Sequence, residues 1–151
     1  VVSYNSSQSD RTSGETSVDT DGTGIGTGTS YFGGKISAQI TNYVAINPGW
    51  AQSHGIPAGA IVAVRHDGRA EYAVYADNSA ADNSNTQVHT QGSSHLAEAL
   101  DPGNNGDNSV PNVQFYALAN VHIDPDGSVS QPEINRLGEQ AFGVMATWFS
   151  N

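Results

Sequence analysis

Alternation with a period of two is clearest between Glu71 and Asp77, where Glu71, Ala73, Tyr75 and Asp77 fall on one side of an extended chain and Tyr72, Val74 and Ala76 on the other. The pattern predicts a strand that stops at a carboxylate. Residues 60–65 form a mostly apolar run just before it, and His66-Asp67-Gly68-Arg69 joins the two. Asp-Gly is the strongest hairpin signal in the chain, because the tight turn between antiparallel strands needs φ > 0 at both central positions. The two runs are therefore expected to be antiparallel neighbours, with Asp77 on the returning arm, the rigid mounting that a catalytic group needs. A buried strand is expected over residues 43–46, ended by Asn47-Pro48-Gly49. One helical turn over residues 50–54 is closed by Gly55, and Ile56-Pro57-Ala58-Gly59 reads as a turn.

Further strand and helix signals lie downstream. Residues 112–119 alternate, with Val113, Phe115, Ala117 and Ala119 on one face. Residues 92–100 read as a short helix with Leu96 and Leu100 inward, reached from Asp77 through fourteen residues, 78–91, rich in Asn, Ser, Ala and Thr. Over residues 131–149, Ile134, Leu137, Ala141, Val144, Met145 and Trp148 make one stripe, the spacing of a helix packed on a sheet, and Ser130 with Glu133 reads as its capping box. That stripe is core rather than a cofactor box. Residues 1–34 are polar and glycine-dense without periodicity, a loop-rich opening segment.

These elements fit one mostly β (α+β) domain over residues 1–151, expected to be a small closed β-barrel with a cleft across its rim and the C-terminal helix packed on it. A chain of 151 residues can bury a core without staples, and it has no cysteine to supply any. No apolar run approaches the ~18 residues that cross a bilayer.

Charge narrows the partners. Fifteen acidic residues against 5 basic ones give a net charge of −10, which argues against nucleic acid and anionic membrane surfaces, both read through clustered Lys and Arg. A polycation is favoured, since a surface of one sign concentrates the opposite one. The same acidity also serves solubility or a salty habitat.

Several segments have the residue types of a site. Asp77 ends its strand, and Gln91 stands at the mouth of the short helix, where the two could face one another across the loop. Asn78, Asp82 and Ser93 surround them in sequence. Asp19 and Asp21, two residues apart before Gly22, share one side of an extended segment and could bind an amine or an ion; a solvated Asp-Gly turn is the alternative. From His122 to Glu133 the chain has part of a calcium-loop spacing, with Asp124, Asp126 and Glu133 at positions three, five and twelve. Position one is a histidine, so a plain Pro-Asp-Gly turn is the expected reading and no metal is expected. His89 and His95 lack a third ligand for zinc. GTGIGTG has no strand before it or helix after it, as a dinucleotide fingerprint requires, and no cofactor is expected.

The chain resembles the glycoside hydrolase family 75 chitosanases, in which a strand ending Gly-Asp leads through a variable acidic loop to Gly-Glu-Ala-Ser-x-x-Leu-Ala. Ala76-Asp77 is similar to the first motif, and Thr90, Gln91, Gly92, Ser93, Ser94, His95, Leu96 and Ala97 to the second. Residues 17–22 (SVDTDG), 54–63 (HGIPAGAIVA) and 136–142 (RLGEQAF) carry further short matches. The resemblance implies a secreted, monomeric endo-acting chitosanase that cleaves β-1,4 glucosamine linkages of chitosan, a cationic polysaccharide, by inversion. It implies Asp77 and residue 91 as the two catalytic groups, with Asp19, Asp21, Asn78, Asp82 and Ser93 towards substrate. The order of strand, Asp, loop and short helix also looks like that of double-psi β-barrel proteins.

Inversion needs an acid and a base about 6.5–9.5 Å apart, with room for a water between them. Where the family has glutamate this chain has Gln91, and an amide has no proton to give near neutral pH. Either a glutamate was exchanged for glutamine to hold a substrate uncleaved, or the natural chain lost or relocated that carboxylate, to Asp82 or Glu98. Another class of function is a carbohydrate-binding or cell-wall-interaction module without turnover, stacking sugars on Tyr31, Tyr43 and Trp50.

Overall fold

The structure, a computed structural model, describes residues 2–5, 31–34, 36–37, 40–78, 91–103 and 114–149. Its elements run β1 (Val2–Asn5), a 3-10 turn (Phe32–Gly34), β2 (Tyr43–Ile46), α1 (Pro48–Ser53), β3 (Ala60–His66), β4 (Arg69–Asn78), β5 (Gln91–Gly92), α2 (Ser94–Leu100), β6 (Gln114–His122) and α3 (Gln131–Phe149).

The expected hairpin forms as read. β3 and β4 pair antiparallel with His66 opposite Arg69, which leaves Asp67 and Gly68 as the turn. Their φ angles of 46° and 80° have the sign that lets a two-residue turn follow the strand twist. β4 then pairs in parallel with β2, and β5 adds antiparallel to the outer side of β2. β6 lies along β3 and β1 along β6, both antiparallel, so the sheet order is β1-β6-β3-β4-β2-β5.

The fold is α+β, but the described strands form an open row instead of the closed barrel expected from sequence. Each face of the sheet has its own helical cover, which leaves no inner face to close upon itself. On one face Val44, Val62 and Tyr75 meet Trp50 of α1 and Leu96 and Leu100 of α2. On the other, Tyr43, Ile61 and Val74 meet Ile134 and Phe142 of α3, together with Phe32. Burying side chains of this size contributes about 1.5–3 kcal/mol each relative to exposure, so both faces need their cover.

Further details differ from expectation, among them the start of α1 at Pro48 and of α2 at Ser94. The opening segment begins with a strand, β1, which pairs with β6 from Val2 opposite Ala117 to Asn5 opposite Gln114. β6 continues to His122. In α3 Phe142, absent from the predicted stripe, is fully buried, and the helix breaks at that residue (φ −110°, ψ 15°).

Candidate functional site

The C-terminal end of β4 carries Asp77, and neighbouring strands fix its place. Val44 pairs with Tyr75 but Ala45 pairs with Asp77, so a bulge at Ala76 shifts the register one residue before the carboxylate. On the opposite side of β2, Ala45 pairs with Gln91 of β5. Positions 77 and 91 thus flank Ala45 on two adjacent ladders. At the usual strand spacing, their backbones lie about 9.5 Å apart.

Asp77 is buried, at 4% exposed, beside a polar network centred on Asn78. The Asn78 N–H donates to Asp77 Oδ1 at 2.9 Å. The Tyr75 hydroxyl donates to Asn78 Oδ1 at 2.8 Å, and the Tyr31 hydroxyl donates to the same oxygen at 3.2 Å. The two tyrosine rings meet edge-on, with centroids 5.7 Å apart. The Tyr31 N–H donates to the carbonyl of Ala76 at 3.1 Å, which ties this ring to β4 from outside the sheet. Burial, then the Tyr31 hydroxyl and the Asp77 carboxylate, push the Tyr75 hydroxyl well above the ordinary tyrosine range. Tyr75 therefore stays a neutral hydrogen-bond donor.

Other residues singled out from sequence have different surroundings. Ser93 is fully buried. Its hydroxyl donates to the Thr41 carbonyl at 2.7 Å and accepts from the backbone N–H groups of Tyr43 (3.1 Å) and Leu96 (3.3 Å), so it caps α2 and ties it to β2. With its lone pairs and proton so engaged, it is a structural joint rather than a substrate contact. Two of the three proposed sugar-stacking aromatics, Tyr43 and Trp50, are core residues at 0% and 5% exposure. Glu98 lies exposed on α2.

Asp124 Oδ1 accepts from the Asp126 N–H, and the Asp124 carbonyl from the Gly127 N–H, which is the expected turn. Among the described residues no group of three or more His, Asp or Glu is placed to hold a metal ion. Asp19, Asp21 and Asp82 lie outside the described residues.

The sequence reading offered Tyr31 only as a surface for stacking sugars and did not single out Tyr75, and it placed neither beside Asn78. Tyr75 sits at an inward strand position, and Tyr31 lies 47 residues before the amide that it bonds. The one available signal was the placement of Tyr75 and Asn78 on either side of a strand-terminal aspartate. No family model matches the chain, and a search of curated proteins finds no similar one.

Proposed function

We propose that the chain is a secreted, monomeric domain that binds chitosan and has the framework of an inverting chitosanase, with Asp77 in the place of the general base and position 91 in that of the general acid. The observation that carries this reading is the register that sets positions 77 and 91 on either side of Ala45. A backbone separation of about 9.5 Å is of the order that the ~6.5–9.5 Å carboxyl gap of an inverting pair requires. Support comes also from the polar setting of Asp77, held by the Asn78 N–H, and from the net charge of −10, which suits a polycation.

In the inverting scheme Asp77 takes a proton from the attacking water while the residue at 91 protonates the leaving glycosidic oxygen. Gln91 cannot perform the second step, so the chain as it stands retains substrate without turning it over. Gln91→Glu restores the acid. General acid catalysis contributes about 10²–10⁴-fold, and release of reducing ends from soluble chitosan is expected to rise by that order over the parent chain. A Gln91→Glu protein that releases none overturns the hydrolase framework. Continued binding of glucosamine oligomers in that protein then selects a non-catalytic carbohydrate-binding module, which would have to use contacts other than the buried Tyr43 and Trp50.

A further inference from the structure

The amide of Asn78 has an unusual allocation of partners. Its oxygen receives two hydroxyl donors, Tyr75 at 2.8 Å and Tyr31 at 3.2 Å, which fills both lone pairs of an amide oxygen. Its backbone N–H is spent on Asp77 Oδ1. What is left is the Nδ2 amino group with its two protons, for which no partner is present among the described residues. Asn78 is only half-buried, and among the described residues the buried side-chain polar atom without a partner is Nδ1 of His66, so Nδ2 of Asn78 is open to solvent. With Oδ1 turned towards the two phenols, the donor end of the amide points outward.

This arrangement is costly to build for stability alone. Tyr75 buries a polar hydroxyl beneath helices α1 and α2, and Tyr31 is brought from far along the chain. A single water would satisfy an exposed amide oxygen at the end of a strand. The two rings hold one another edge-on, so their hydroxyls are fixed in direction as well as in distance. The consequence is a donor that needs no reorientation when an acceptor arrives, the form in which hydrogen bonds contribute most to recognition.

We infer that Tyr31 and Tyr75 are positioning residues that lock the Asn78 amide, so that its Nδ2 donates to an oxygen of the sugar unit lying against Asp77. The ligand group is a neutral acceptor, a hydroxyl or ring oxygen of a glucosamine residue, next to a carboxylate that handles water or the sugar amine. The inference rests on the proposed chitosan reading and deepens it: one aspartate and one oriented amide, adjacent in sequence, divide the recognition of a single sugar unit. Tyr31 then acts through Asn78 and not as a stacking platform.

The experiment is a double-mutant cycle on affinity for a glucosamine oligomer, measured by calorimetry with thermal unfolding of each variant alongside. The variants are Asn78→Ala, Tyr31→Phe, Tyr75→Phe and each Asn78→Ala/Tyr→Phe pair. Asn78→Ala is expected to weaken binding about tenfold, and each Tyr→Phe change several-fold. If the hydroxyls serve binding through the amide, each pair should bind no more weakly than Asn78→Ala alone. Additive losses, or affinities that follow the loss of thermal stability, overturn the inference, as does unaltered binding in all variants while the parent binds. Absence of oligomer binding by the parent overturns the chitosan reading and the inference together, which separates the two failures. Should Tyr75→Phe not fold, Tyr31→Phe, on a half-buried ring, gives the same cycle.

Discussion

At the scale of single residues, charge and burial meet at Glu71, near the start of β4. Burial raises its pKa above the ordinary value of 4.5, against the opposing attraction of His95 and Arg69. The folded chain therefore holds this proton more tightly than the unfolded one. Stability from this group is complete below the ordinary glutamate pKa and is lost as pH rises through the raised, folded value. Glu71→Gln removes that dependence. Urea unfolding midpoints of the two proteins should coincide in acid, and the variant should become the more stable as pH rises to neutral. A variant less stable than the parent at neutral pH would mean that His95 and Arg69 outweigh burial. His95 is itself oriented by the Asn42 side chain, 2.5 Å from its Nδ1, so the partner opposing the shift is held in place and cannot simply swing away.

Among elements, the hairpin was legible because its turn chemistry is local: Asp67 and Gly68 state the turn, and the alternation on either side states the register. The helices were legible for the same reason, each having a cap or stripe within its own sequence. β5 was not. Gln91–Gly92 is too short to alternate and is a strand only because β2 lies beside it. The parallel pairing of β2 with β4, and the bulge at Ala76, also depend on contacts between distant segments. Half of the candidate site was therefore readable. Asp77 at a strand end follows from periodicity, whereas its alignment with position 91 and the tyrosine pair around Asn78 exist only after the strands have assembled. The turn before β3 shows the same dependence on assembly. Gly59 has φ +85°, and a Cβ there would stand 1.9 Å from the Ile123 carbonyl oxygen. Its N–H donates to Tyr75 and its carbonyl accepts from Ile123, so it links β4 to the end of β6. Gly59→Ala should cost on the order of 3 kcal/mol or more through backbone clash and strain. Gly68→Ala, with positive φ but open space around it, should cost only about 1 kcal/mol. Denaturant unfolding of both variants checks the contrast, and equal losses would show that backbone conformation, not the close approach at Gly59, sets the cost.

For the whole molecule, the question is whether a net charge of −10 serves recognition or solubility alone. The two uses predict different responses to salt. Interactions between exposed charges extend about 10 Å at 0.1 M salt and only ~3 Å at 1 M, so attraction of a protonated glucosamine polymer to an acidic surface should collapse over that range. Hydrogen bonds from a fixed donor such as the Asn78 amide are local and respond far less. The proposed binding of soluble chitosan in mild acid is therefore expected to weaken by about tenfold or more between 0.1 M and 1 M salt, chiefly through slower association. A fully acetylated oligomer of the same length has no ammonium groups, and whatever affinity it has should change little. Surface plasmon resonance with both ligands over a salt series measures the difference directly. If the two respond alike, the acidity keeps the protein in solution and the carboxylates are not what draws the polymer in. Recognition would then fall to the few oriented polar groups at the end of β4, and the Asn78 cycle should account for most of the affinity.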